Sequence, residues 1–165
     1  TQIQVCTVIG FPFGYSCAAA KVAEMQQALL DGADELDVVA NVSAIKQGDW
    51  DIVQAELEAV AGAVGGRTLK VIIESAMLTD DEIIRCCGIY SNRIDFLKTS
   101  TGYADGGASV HAVALFRANL PQTTQIKASG GIRDYATAME MIQAGASRIG
   151  CSAGVAICRG AVAEG

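Results

Sequence analysis

Six short runs of β-branched and aliphatic residues alternate with longer amphipathic stretches along the whole chain, and this alternation constrains the fold more than any other feature. The runs fall at residues 3–9, 35–40, 69–75, 95–100, 124–129 and 147–152. The stretches between them, at 16–30, 49–63, 79–89, 108–119 and 135–144, read as helices. Strands joined by helix-length connections pair in parallel, because a crossover of a dozen or more residues is what carries the chain back to the same end of a sheet. Runs this apolar are usually covered on both faces, which leaves a doubly wound sheet or a (β/α)8 barrel. Periodicity does not choose between them. Six strands are two short of barrel closure, so the sheet is open or only part of a barrel is present.

Helix boundaries support the alternation. Thr79 stands before Asp80, Asp81 and Glu82 as a cap before acids, and Gly32 and Gly145 fall where a helix ends in a left-handed residue. The turns 32–37 (GADELD) and 145–150 (GASRIG) are alike, as repeated βα units would make them. No linker or low-complexity tract divides the chain. With 165 residues and 51% hydrophobic content there is material for one sizeable core, so residues 1–165 are expected to form a single domain.

Charge and cysteine content narrow the partners. A net charge of −6 without any Lys/Arg cluster argues against nucleic acid or an anionic membrane surface. The six cysteines follow no framework spacing and sit mostly in apolar segments, which suits cytosolic thiols. With no CxxC pair and a lone histidine, His111, a metal site is not expected. No charged leader precedes an apolar core, and no apolar run nears the roughly 18 residues of a membrane span. The expectation is a soluble, cytoplasmic protein with no membrane partner.

In either architecture functional groups gather at the carboxyl ends of the strands. Lys98 lies in FLKTSTG (96–102), inside an apolar strand just before a hydroxyl-rich turn. Burial disfavours an ammonium and lowers its pKa, as an amine nucleophile requires; the alternative is a lysine that snorkels to solvent. Lys127, in QIKASGG (125–131), is placed in the same way. Two ammonium groups in one cavity make each other's protonation costly, whereas two separate surface lysines would not interact.

Asp37 stands between apolar strand residues, suited to proton transfer beside an amine or to a plain salt bridge with a lysine. Asp34 and Glu35 read as solvated turn residues, and Glu74 as a structural hydrogen-bonding group at the end of its strand. Gly130-Gly131-Ile132-Arg133 and Gly150-Cys151-Ser152 follow the last two strands. Glycines there let the backbone approach an anion, and a helix starting after Arg133 would aim its N–H groups at a phosphate. Glycine is also common in such turns for geometry alone.

At these residues the sequence resembles the deoxyribose-phosphate aldolases, class I aldolases of the DeoC type. The matching stretches are VCTVIGFPFG (5–14), ADELDVVANVSAIKQGDW (33–50), LKVIIESAMLTDDEI (69–83), FLKTSTGYADGGAS (96–109), IKASGGIR (126–133) and RIGCSAGVAI (148–157). The resemblance implies an α/β fold of the (β/α)8 type with about six of eight βα units. It implies Lys98 as the Schiff-base lysine, Lys127 as the group that tunes it, and Asp37 as the proton-relay acid. The substrate phosphate would lie against Gly102, Gly130, Gly131, Arg133, Gly150 and Ser152.

The implied reaction is the reversible cleavage of 2-deoxy-D-ribose 5-phosphate to D-glyceraldehyde 3-phosphate and acetaldehyde, in deoxyribonucleotide catabolism, without metal or organic cofactor. Two departures stand out. Ala153 follows Ser152 where the family often has a second serine, and the chain begins at what resembles the third strand of the family barrel. An open sheet would expose two edges and an apolar face, which points to a homo-oligomer. Alternatives are a shortened, inactive aldolase-like barrel that binds phosphate without turnover and, less in keeping with the paired lysines, a transaldolase-like or metal-free synthase.

Overall fold

Each expected strand forms, and each pairs in parallel with the next. The computed structural model describes residues 3–163; the outermost residues of the 1–165 span lie outside them. The strands are β1 (Cys6–Ile9), β2 (Glu35–Val39), β3 (Thr68–Ile72), β4 (Phe96–Lys98), β5 (Gln125–Ser129) and β6 (Arg148–Gly150), arranged in chain order in one sheet. Between them run α1 (Ala18–Leu30), α2 (Val42–Gln47), α3 (Trp50–Ala63), α4 (Asp80–Tyr90), α5 (Val110–Asn119) and α6 (Tyr135–Gln143), and α7 (Gly154–Ala163) follows β6. This is a parallel half-barrel, six βα units of the (β/α)8 architecture.

Strand alternation sorts the residues. Leu36, Val38, Leu69, Val71, Leu97, Ile126 and Ala128 point outward, where they join Val53, Leu57, Ile83, Val113, Phe116 and Met141 of the helices in one apolar cluster. The alternate positions face inward, and that face is unlike the apolar surface expected from the strand composition. It carries Glu35, Asp37, Lys70, Lys98, Lys127 and Arg148, paired with one another.

Those pairs also show that the sheet curls. In a flat sheet β2 and β6 would lie about 19 Å apart at the usual strand spacing. Arg148 on β6 nevertheless places Nη1 2.6 Å from Glu35 Oε2 on β2. The half-barrel is therefore strongly curved, with its charged side on the concave face.

Local chemistry sets the helix ends. Thr79 accepts from the Glu82 backbone N–H while the Glu82 carboxylate accepts from the Thr79 N–H, a full capping box on α4. Gly32 and Gly145 end their helices at φ 98° and 119°. Two helices and a 3₁₀ turn (Ser75–Met77) were not expected. The helix α2 spans six residues between an Asn41 cap and Gly48, too short for its period to register. The helix α7 is apolar around much of its circumference, which hides its period, and Val155 and Val162 are exposed on it.

Candidate active site

The inward face converges on one carboxylate. Asp37 is almost fully buried, and its Oδ2 accepts from Lys98 Nζ at 2.8 Å and Lys127 Nζ at 2.7 Å. The register explains this meeting, because Lys98 and Lys127 are direct partners across β4 and β5. The two lysines singled out in the sequence thus share one cavity and one counter-ion.

A third lysine completes the floor. Lys70, opposite Asp37 across β2 and β3, is fully buried; its Nζ donates to Asp37 Oδ1 and pairs with Glu35 Oε2, both at 2.8 Å. It was not among the expected site residues, although Leu69-Lys70-Val71, with its lysine inside an apolar strand, has the same form as Leu97-Lys98-Thr99 and Ile126-Lys127-Ala128. Glu35, read as a solvated turn residue, is instead buried between Lys70 and Arg148. Its place on the inward face of β2 leaves its charge no other home. Asp34 does remain at the turn, where its carboxylate accepts from the Val5 N–H.

Electrostatics follow from this crowding. Burial alone would raise the Asp37 carboxyl, but the Lys98 and Lys127 ammonium groups, with hydrogen bonds from Lys127 and Lys70, hold it well below the usual carboxylate range. Burial pushes the Lys98 amine down, Asp37 pulls it part of the way back, and the neighbouring Lys127 charge adds to the lowering. Burial would also lower Lys70, yet its bonds to Asp37 and Glu35 leave it above the usual lysine value. Lys70 is accordingly held firmly charged, and Lys98 is biased toward a free amine. Asp37 at rest is an anion with little affinity for a proton.

Above this floor opens a cleft of about 610 Å³. All six residues assigned to the phosphate, namely Gly102, Gly130, Gly131, Arg133, Gly150 and Ser152, line it together with Lys98 and Lys127. Gly130 and Gly131 adopt φ 88° and 79°, a region open to glycine at little cost. Gly107 presses against the Gly130 backbone, and the Ala108 N–H donates to the Gly130 carbonyl.

The helix after Arg133, α6, is capped by its own Asp134, whose carboxylate accepts from the Thr137 N–H. Its first turn is thus partly satisfied from within. The helix α7 begins after Ala153, whose carbonyl accepts from Ile157 N–H and whose methyl side chain caps nothing. The helix α7 starts two residues after Ser152, which lines the cleft. Glu74 acts as expected of a structural group: its Oε2 accepts from the Thr101 N–H and hydroxyl, fixing the loop after β4.

Among the described residues no group of three or more His, Cys, Asp or Glu side chains is placed to hold a metal ion. No described helix is long and apolar enough to cross a membrane.

A parallel βα half-barrel that gathers buried amines and a carboxylate beneath a glycine-rich, cationic rim has the build of the barrel lyases that use lysine chemistry on phosphorylated carbonyl compounds. The DeoC/LacD family aldolase profile matches residues 4–160. The deoxyribose-phosphate aldolase of Mannheimia succiniciproducens is 49% identical over 97% of this chain and 72% of its own length. That of Streptococcus suis is 48% identical over 100% and 76%. Among solved structures, the aldolase QR15 superposes with TM-score 0.93 at 41% identity, covering 99% of this chain and 75% of its own. The deoxyribose phosphate aldolase of Aeropyrum pernix, described as tetrameric, gives TM-score 0.89 at 30% identity, covering 99% and 70%. The chain belongs to the DeoC/LacD family of aldolases.

Proposed function

We propose that this chain cleaves 2-deoxy-D-ribose 5-phosphate reversibly to D-glyceraldehyde 3-phosphate and acetaldehyde through a Schiff base on Lys98. The observation that carries the reading is the meeting of Lys98 and Lys127 on Asp37 Oδ2 under a rim of glycines and Arg133. Relatives named deoxyribose-phosphate aldolase along the whole chain support the choice of substrate.

The residues divide the chemistry. The Lys98 amine attacks C1 of the open-chain sugar, and loss of water leaves an iminium. A base removes the proton of the C3 hydroxyl, the C2–C3 bond breaks, and its electron pair moves into the iminium to give an enamine. D-Glyceraldehyde 3-phosphate leaves; protonation of the enamine at C2 and hydrolysis release acetaldehyde and restore the amine. Lys127 disfavours protonation of Lys98, and Asp37 handles protons once enamine formation has neutralised the Lys98 nitrogen beside it. Gly102, Gly130, Gly131, Arg133, Gly150 and Ser152 receive the phosphate.

The test is retro-aldol turnover, read by coupling release of D-glyceraldehyde 3-phosphate to a dehydrogenase. The intact chain should turn over and Lys98→Ala should not, at unchanged thermal stability; equal turnover in the variant would remove Lys98 from the mechanism. An intact chain that binds inorganic phosphate at the rim without turnover would favour the inactive-barrel reading. The reading includes a homo-oligomer, on the strength of the exposed Val155 and Val162 of α7.

A further inference from the structure

Resting on the aldolase reading, we infer that Lys70 is a positioning residue for this reaction: it holds Asp37 in one orientation and in its ionised form, and so governs the amine of Lys98 without touching substrate. Lys70 is fully buried and does not line the cleft, so its effect on chemistry must pass through what it touches. It touches Asp37 Oδ1, at 2.8 Å. The carboxylate has two oxygens, and this bond commits one of them, leaving Oδ2 for both Lys98 and Lys127.

Lys70 is itself held from behind. Its Nζ lies 2.8 Å from Glu35 Oε2, and Arg148 Nη1 reaches both Glu35 oxygens at 2.6 and 2.9 Å. The Arg148 guanidinium lies 4.4 Å over the Phe96 ring, which fixes the far end. Charges therefore alternate across the concave face, from Arg148 to Glu35, Lys70, Asp37 and the two cleft lysines. The strands β2 to β6 each supply at least one of these groups, and β1 adds Cys6, whose Sγ sits 3.3 Å from both Asp37 Oδ1 and Lys70 Nζ.

Removal of the Lys70 charge has two consequences. Asp37 loses the partner on Oδ1 and is free to turn both oxygens toward the cleft lysines, strengthening its hold on the Lys98 proton. The cluster also loses a cation, which makes protonation of Lys98 cheaper again. Both act in one direction, so imine formation shifts to higher pH.

The experiment is the rate of reductive trapping of acetaldehyde on Lys98, with cyanoborohydride, as a function of pH in the full chain. Lys70→Met should trap at least about tenfold more slowly at pH 7 and recover toward the wild-type rate near pH 9. Lys70→Arg should restore much of the neutral-pH rate. If Lys70→Met does not fold, Lys70→Gln keeps a donor to Asp37 without the charge and should show a smaller shift in the same direction. A folded Met or Gln variant whose pH profile superimposes on that of the intact chain overturns the proposal and leaves Lys70 a structural residue. Failure of the intact chain to form any adduct on Lys98 would instead remove the aldolase reading, and this inference with it.

Discussion

Replacing Lys127 with leucine isolates the charge effect on which the site turns. Lys98 and Lys127 both lie within 2.8 Å of Asp37 Oδ2. Their nitrogens are therefore no more than about 5.5 Å apart, and at an effective dielectric near 20 two unit charges at that distance repel by about 3 kcal/mol. Salt screens little of this, because both side chains are mostly buried. Three kcal/mol corresponds to roughly a hundredfold change in the fraction of Lys98 present as free amine at a fixed pH below its titration.

Lys127→Leu should thus lower kcat/KM for retro-aldol cleavage at pH 7 by up to about a hundredfold and move the acid limb of the pH profile upward. Lys127→Arg, which keeps a cation, should leave the limb close to its original position. A leucine variant with the same acid limb as the intact chain, or an arginine variant shifted as far as the leucine one, would refute the electrostatic argument.

Other perturbations test other parts of the structure. Lys21 Nζ, fully buried, lies 2.5 Å from Glu56 Oε2 and donates to the Val39 carbonyl, so Glu56→Gln should cost about 3–5 kcal/mol in urea unfolding by stranding the ammonium; a loss under 1 kcal/mol would argue that Lys21 finds water or another partner. A Cβ on Gly107 would meet the Gly130 carbonyl carbon at 2.7 Å, so Gly107→Ala should destabilise by about 1–3 kcal/mol and raise KM for the phosphorylated substrate as the rim shifts, which steady-state kinetics would detect. Asp37 and Glu35 are both held below ordinary carboxylate values, so the unfolded chain binds protons first on acidification. Their contribution is complete above roughly pH 5 and is lost below it, and Asp37→Asn should flatten that part of the stability–pH curve measured by thermal melting.

The strand order was legible because hydrophobic runs and helix-length gaps admit few topologies, and the two cleft lysines because a cation inside an apolar run is conspicuous. The misreading of Glu35 has a physical source. At the start of a strand, one residue after Asp34 in a turn, an acid has the same local pattern whether it faces solvent or the barrel interior. Only the curvature that brings Arg148 from the far side of the sheet decides between them, and curvature leaves no local trace. Lys70 was not legible for a different reason: it lies mid-strand on β3, whereas a reacting group must be reachable from a strand end. The helix α7 was missed because its apolar residues and glycines leave no polar face to mark a period.

The chemistry of this site turns on which nitrogen forms the carbon–nitrogen bond. Reduction with borohydride in the presence of acetaldehyde, followed by peptide mass mapping, should place a single two-carbon adduct on Lys98, with Lys70 and Lys127 unmodified at neutral pH. An adduct on Lys127 in preference to Lys98, or none on any of the three, would contradict it.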